Sequence, residues 1–320
     1  MCIRDRDSTA GWESGEIDIQ DAMTDLTLRV ALRGLLGADE QTDALAADVR
    51  LAFEEILGWI NYRFNQPASP QAFVPTPRNR RLKRAKARLQ EAVRSLVEHR
   101  RTNGAESVDI LGQLLEAQQN GASGLTDDAI VDECIGFMFA GHETTASTLS
   151  WSLYELALHP DLHAAVAAEG AKLVESATSI TDALKHMPTT DSVIRETLRM
   201  YPAGISIVRS AKQRTELSGR KIRKRTLVMI PVYAIQRSSE LWDSPNTFDP
   251  SRNHESEPGY VPFGLGPRRC LGARFARTEM QIALAHICSH WKMSYEQAEP
   301  PQLITAPSLR AKDQLTLHIA

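Results

Sequence analysis

Phe263-Gly264-Leu265-Gly266-Pro267-Arg268-Arg269-Cys270-Leu271-Gly272 runs directly into Ala273-Arg274-Phe275-Ala276. Three glycines and a proline precede a helix-like run, which predicts a tight backbone turn delivering Cys270 to a helix N-terminus. Backbone N–H groups there, together with Arg268 and Arg269, stabilise negative charge and so favour a thiolate over a thiol. A thiolate is either a nucleophile or a metal ligand. A nucleophile needs a base at hand, and this loop contains no histidine. The two arginines suit acidic groups on whatever the sulfur holds. Simpler readings exist, because a lone cysteine often serves as a small buried hydrophobe and Gly-x-Gly is often only a turn. A phosphate-binding Gly-x-Gly-x-x-Gly loop fits poorly, since Arg269 stands where the third glycine belongs.

The stretch resembles the haem-ligand loop of the cytochrome P450 family, whose signature is Phe-x-x-Gly-x-Arg-x-Cys-x-Gly. Phe263, Gly266, Arg268, Cys270 and Gly272 match all five fixed positions. A second resemblance lies in Ala140-Gly141-His142-Glu143-Thr144-Thr145, which is similar to the family's Ala/Gly-Gly-x-Asp/Glu-Thr-Thr oxygen-activation motif on its long central helix. Read from the residues alone, a glycine, an acid and two threonines are poor helix-interior material. They predict either a bent core helix with threonine hydroxyls bonded back to their own carbonyls, or a local opening for a small ligand. Glu196-Thr197-Leu198-Arg199, before Tyr201-Pro202, resembles the family's internal Glu-x-x-Arg ion pair; the three-residue spacing puts both side chains on one helix face. Pro245 to Arg252 resembles the family's Pro-Glu-x-Phe-x-Pro-x-Arg element, with Asn246 in place of the glutamate.

Composition sets wider bounds. The 320 residues are 42% apolar and 24% charged, with net charge −3, as expected of a globular chain able to bury a large core. That balance does not favour a dedicated nucleic-acid binder. Cys2, Cys134, Cys270 and Cys288 show no paired spacing, so neither a disulfide framework nor a zinc site is predicted, which suits a reducing compartment. No apolar run reaches membrane-spanning length and no signal-peptide pattern appears, so the expected location is the cytoplasm. Residues 1–9 read as a non-native-looking or disordered start.

Along the chain, Asp18 is predicted to cap a helix with Leu28, Leu32, Leu35 and Leu36 on one face before Gly37. A second helix is expected from about Thr42 to Phe64. Pro67, Pro70, Pro75 and Pro77 make the next segment a surface loop. Arg78 to Arg101 reads as a helix with a strongly basic, solvated face. A long helix from about Asp127 to Ala157 follows. Helices at Ala164 to Leu173 and Asp191 to Met200 flank a loop around Ser176 to Pro188. Strands are expected at Ile205 to Ala211, Thr226 to Tyr233 and Leu315 to Ile319, with a turn at Gly219. The fold class is therefore mainly α with small β-sheets. The pairs His159/His163 and His286/His290 lack the adjacent glutamate of a zinc-protease pattern, and Pro160 interrupts the first.

The resemblance implies a cytochrome P450 fold for residues 10–320, forming part of a single domain that lacks the family's N-terminal sheet and early helices. It implies haem b, with Cys270 as axial ligand to the iron, the thiolate favouring O–O cleavage. Arg268, and Arg209 in Val208-Arg209-Ser210-Ala211, would pair with haem propionates. Phe263, Gly264, Gly272, Ala140 and Gly141 would lie against the cofactor. Glu143 and Thr144 would deliver protons to bound dioxygen. Glu196 and Arg199 would form the structural pair. Ala140, Phe137, Ala203, Ile205 and Leu309 would line an apolar substrate pocket. The activity implied is hydroxylation of a hydrophobic small molecule using dioxygen. Electrons would come from a ferredoxin or flavoprotein docking near Arg269, Arg274 and Arg277, and ultimately from NAD(P)H. The alternative is a truncated haem-binding fragment or haem sensor without monooxygenase activity.

Overall fold

A computed structural model describes residues 9, 11–37, 44–66, 68–103, 109–175, 180–306 and 308–320. The start at residues 1–8, including Cys2, and the first four residues of the expected loop, Ser176 to Ser179, lie outside the described residues. The chain divides into two compact units, Met1–Trp12 with Asp18–Ser147, and Glu13–Ile17 with Thr148–Ala320.

The first unit is helical. α1 (Ile19–Leu36) opens where the Asp18 carboxylate accepts from the N–H groups of Gln20 and Asp21. It ends at Gly37, whose φ of 62° supplies the left-handed cap. Leu28, Leu32, Leu35 and Leu36 are all buried, as their spacing predicts. α2 (Ala44–Asn65) and α3 (Pro77–Asn103) form an antiparallel pair. α3 sinks Leu82, Ala85, Leu89, Val93 and Leu96 and leaves Arg78, Arg80, Arg81, Lys83, Arg84, Lys86 and Arg88 outside. Arg100 reaches back to the carbonyl of Leu36 (3.1 Å) and to Asp109 (2.7 Å), which itself caps α4 (Ile110–Gln119). One part-buried ion pair thus joins three helix ends. α5 (Asp127–Leu158) begins in this unit, and the Thr27 hydroxyl donates to the His142 carbonyl (3.0 Å) to hold α1 against it.

The second unit packs α6 (Pro160–Glu175), α8 (Pro188–Met200) and α10 (Ala273–His290) together, with the short α7 (Ile180–Lys185) between the first two. That short helix falls inside the segment expected to be a loop. Six residues carry too little periodic pattern to announce a helix. Glu169 of α6 places its carboxylate at the start of α8, accepting from Thr189 N (2.8 Å), Thr190 N (2.9 Å) and the Thr190 hydroxyl (2.6 Å). An anion at a helix N-terminus is stabilised both by the free N–H groups and by the helix dipole.

Four small β-sheets among the described residues complete this unit. β1 (Gly15–Asp18), β9 (Thr316–Ile319) and β6 (Met293–Ser294) form one, in that order. β2 (Ile207–Ser210) pairs with β5 (Leu227–Ile230), Arg209 facing Val228. β3 (Thr215–Leu217) and β4 (Arg220–Ile222) form a hairpin whose Ser218 and Gly219 both have positive φ, as a two-residue turn of that twist requires. β7 (Leu303–Ala306) pairs with β8 (Ser308–Ala311). The strand expected through Tyr233 stops at Ile230. Pro231 cannot donate to a ladder, and Val232–Ile235 forms the one-turn helix α9 instead.

Gly170 lets α6 pack close against α10, where an added Cβ would run into the backbone carbonyl of Ala285. Backbone cannot step aside as a side chain does. Gly170→Ala is expected to destabilise the protein by about 2 kcal/mol, an overpacking penalty of about 3 offset by about 1 in helix propensity. Thermal unfolding checks this, and an unchanged midpoint would mean the helices slide freely.

Candidate functional site

In the second unit, the stretch from Phe263 to Gly272 folds back on itself. Gly264 and Gly266 have φ of 70° and 72°, which other residues rarely adopt. The Cys270 N–H donates to the Phe263 carbonyl (2.9 Å), and the Arg269 N–H donates to that of Gly266 (3.0 Å). α10 begins three residues after Cys270. The thiol of Cys270 is exposed, whereas those of Cys134 and Cys288 are buried. Leu265 and Leu271 flank it, 68% and 85% exposed, and Phe263 is half-buried. Ile207 of β2 is the nearest neighbour of Gly264, so the strand carrying Arg209 runs beside the loop. Arg268 is exposed and has no carboxylate partner among the described residues. Among the described residues, Arg209 donates only to the adjacent Val208 carbonyl (3.0 Å). One accessible soft sulfur, two arginines without carboxylates and an apolar rim make a donor set that fits an iron porphyrin bearing propionates. Arg269 and Arg274 are exposed, but Arg277 is engaged by Asp191 (2.6 Å) and is less available to a partner.

Glu196 and Arg199 are both completely buried, and they meet in a two-pronged contact of 2.7 and 2.8 Å. Glu196 also accepts from Asp249 N (2.9 Å), Arg252 Nε (3.2 Å) and His254 Nε2 (2.7 Å). Burial by itself raises the Glu196 pKa, but the bonds from Arg199, His254 and Asp249 outweigh it and hold the carboxyl down to about 2. The remaining Arg199 N–H groups reach the carbonyls of Gln236 (2.9 Å), Pro245 (2.8 Å) and Thr247 (3.1 Å). Gln236 is itself fully buried. It donates to the carbonyls of Leu198 (2.8 Å) and Arg199 (3.0 Å) and accepts from Val261 N (2.9 Å), two residues before Phe263. A continuous polar chain therefore leads from the ion pair to the root of the cysteine loop. Sequence reading missed His254 and Gln236. His254 follows Arg252 by two residues, a spacing that carries a signal only once Glu196 is known to be buried. Asn246, at the position of the family's glutamate, accepts from Arg237 (3.1 Å), so a polar contact survives the exchange.

Also in this unit, the Leu309 N–H donates to the Ala203 carbonyl (3.2 Å), and Tyr233 N–H donates to that of Ile205 (3.1 Å). Ala203 and Leu309 are buried and brought together from distant stretches, while Ile205 is half-buried. Trp151 donates to the Leu309 carbonyl (2.8 Å) and stacks flat on Tyr201, ring centroids 4.5 Å apart. The Tyr201 hydroxyl donates to Glu155 (2.6 Å), whose carboxyl is raised by burial despite that bond.

In the first unit, residues 137–145 are helical throughout, so the expected local opening is not seen. The Thr144 hydroxyl instead donates to the Ala140 carbonyl (2.9 Å), as in the back-bonded alternative. Phe137, Ala140 and Thr144 share a helix face through their three- and four-residue spacings. Ala140 and Thr144 are exposed, Phe137 and Gly141 half-buried, and Glu143 buried. His142 packs its ring on Phe53 at 4.8 Å and bonds the Met138 carbonyl (2.9 Å), which accounts for it structurally.

Comparison with known proteins identifies the family. The family profile described as Cytochrome P450 matches residues 3–318. The chain is 35% identical over 298 residues to cyclooctat-9-en-7-ol 5-monooxygenase of Streptomyces melanosporofaciens, covering 90% of this chain and 64% of that protein. It is 32% identical over 300 residues to pentalenene oxygenase of Streptomyces avermitilis, covering 91% of this chain and 66% of that protein. The chain thus spans about two thirds of the length of these relatives. Among solved structures, retinoic acid-bound cyanobacterial CYP120A1 superposes with a TM-score of 0.85 at 26% identity, over all of this chain and 73% of that one. With a match across nearly its whole length, the chain belongs to the cytochrome P450 family.

Proposed function

We propose that this chain is the larger part of a haem-thiolate monooxygenase, its residues 10–320 forming part of one catalytic domain. It would insert one atom of dioxygen into a C–H bond of a hydrophobic small molecule. The other oxygen atom leaves as water, consuming two electrons and two protons. The observation that carries this reading is the exposed Cys270 thiol on a glycine-turned loop, with Arg268 and Arg209 lacking carboxylate partners among the described residues. When bound, the haem supplies dioxygen binding, reduction and oxygen transfer. Cys270 is the thiolate ligand, exposed on its loop before α10. Arg268 and Arg209 hold the propionates. Phe263 shields the sulfur, while Gly264, Gly272, Ala140 and Gly141 present little or no side chain where the cofactor needs room. Glu143 and Thr144 move protons. The Thr144 hydroxyl, parked on the Ala140 carbonyl, is a rotor able to donate elsewhere.

Phe137, Ala140, Ala203, Ile205 and Leu309 contact the substrate; all are apolar, so recognition is by shape and burial. By name, the substrates of the two Streptomyces relatives are an alkenol and an alkene. A carbon-rich, weakly polar molecule of that class is the proposed substrate. A ferredoxin or flavoprotein, itself reduced by NAD(P)H, would be the electron donor; the exposed Arg269 and Arg274 favour an acidic one.

The test is the absorption spectrum of the haem-loaded, reduced, carbon-monoxide-bound chain. The expected Soret band has the long-wavelength shift of thiolate ligation, and an unshifted band would sink the assignment of Cys270. In a chain that turns over, Thr144→Ala is expected to lower product relative to hydrogen peroxide by about tenfold or more, since a positioned proton donor typically contributes about 10²–10⁴. Unchanged coupling would refute proton delivery by Thr144.

A further inference from the structure

Two pairs of histidines stand four residues apart, His159 with His163 and His286 with His290. Four residues make about one helical turn, so either spacing allows two imidazoles on one face. Only the second pair is brought together. The rings of His286 and His290 lie 4.2 Å apart between centroids, tilted by 43°. His159 packs instead on Phe248 (5.5 Å), and His163 is buried on its own helix.

The close pair occupies the last turn of α10, and its members differ. His286 is 5% exposed, so packing fixes its ring. His290 is exposed and opens the pair to solvent. Nδ1 of His290 lies 2.8 Å from the His286 carbonyl. A carbonyl only accepts, so Nδ1 carries the proton, and in the neutral ring Nε2 is left with its lone pair. The Ser289 hydroxyl donates to the same carbonyl (2.8 Å) and lies 3.0 Å from Nδ1. A backbone carbonyl on one ring nitrogen is the arrangement that orients a histidine to bind metal through the other. α10 ends at His290, where the negative end of the helix dipole favours a cation.

We infer that His286 and His290 form a two-point site for one transition-metal ion of the zinc, nickel or copper(II) class. Imidazole suits those ions, whereas magnesium and calcium take oxygen ligands. Zinc–nitrogen bonds of about 2.0–2.1 Å put two nitrogens of a tetrahedral ion about 3.4 Å apart, within reach of two rings already in contact. Among the described residues no group of three or more His, Cys, Asp or Glu side chains could hold a metal, so water completes the shell. The ion would tie position 286 to position 290 and staple the end of α10. His286 lies about 20 Å along the helix from its start, and Cys270 precedes that start. The inference is therefore independent of haem binding.

The experiment is calorimetric titration of the 320-residue chain with zinc and with magnesium. An exposed thiol also binds zinc, so Cys270→Ser is titrated beside it. Cys270→Ser is expected to take up one zinc ion and no magnesium. Adding His290→Gln should weaken zinc binding at least about tenfold, since losing even a group that supports a ligand costs about 10–100-fold. Its side chain is exposed, so the zinc-free unfolding midpoint should stay unchanged. His159→Gln should leave the affinity intact. Excess zinc should raise the midpoint of Cys270→Ser but not that of the His290→Gln derivative. Paramagnetic resonance with copper(II) should resolve two nitrogen donors, falling to one in His290→Gln. The inference is overturned by no zinc uptake in Cys270→Ser, by equal uptake of magnesium, or by unchanged affinity in His290→Gln. Loss in His159→Gln alone, or a copper(II) spectrum with a single nitrogen before any histidine is replaced, overturns it equally.

Discussion

Cys270→Ser leaves the chain folded and removes the thiolate signature completely. The side chain is exposed, and the loop is held by backbone bonds, Cys270 N–H to Phe263 among them, that serine keeps. A substitution at such a site shifts stability by no more than about 0.5 kcal/mol, so the unfolding midpoint should move by no more than about 2 °C. The reduced carbon-monoxide spectrum should lose its shifted band, because an alcohol neither ionises near neutrality nor donates charge as sulfur does. Cys134 and Cys288 supply the control. Burial pushes each thiol up to about 12, so the thiolate fraction at neutral pH is on the order of 10⁻⁵. Cys134→Ser and Cys288→Ser should therefore keep the band. If Cys270→Ser retains it, or either control abolishes it, the ligand is wrongly assigned.

The cysteine loop was legible in the sequence because its information is local. Gly264 and Gly266 are needed where φ is positive, and the chain itself spells that out. The leucine face of α1 and the cap at Asp18 are local in the same way. What the sequence left hidden depends on partners far along the chain. His254 reads as an ordinary loop residue until Glu196, 58 positions earlier, is found beside it. Gln236 belongs to no recognisable pattern, yet it joins Leu198 to Val261. The apolar cluster through Val232 and Tyr233 suggests strand, but the proline before them and the bond from Tyr233 N–H to Ile205 favour the one-turn α9. At Gly141-His142-Glu143-Thr144, propensity argued for a break, and packing of His142 on Phe53 kept the helix whole.

Removing the carboxylate of Glu196 is expected to be the most destabilising single change in the second unit. Arg199 is fully buried, and its charge is tolerated there only because Glu196 stands 2.7 Å away. Glu196→Ala leaves that guanidinium without a counter-charge and strands the donors of Asp249, Arg252 and His254, at a cost of about 3–5 kcal/mol. Glu196→Gln tests charge at nearly constant volume. Its amide nitrogen would confront Arg199 or His254, donor against donor, so it should recover little of the loss. The double variant Glu196→Leu with Arg199→Met, by contrast, should lie well above Glu196→Ala, since removing both ions also removes their desolvation. Acid titration provides the independent check. The Glu196 pKa is lowered in the folded state to about 2 from an ordinary 4.5, so its contribution is complete above about pH 5 and is lost as pH falls through 2. The shift corresponds to roughly 3 kcal/mol of stability, on the order of the mutational cost. Wild-type stability should therefore decline from pH 5 to pH 2 more steeply than that of Glu196→Gln, which has no carboxylate to protonate. Parallel acid limbs would mean that the four donors around Glu196, and not its charge, hold the polar chain from α8 to the cysteine loop.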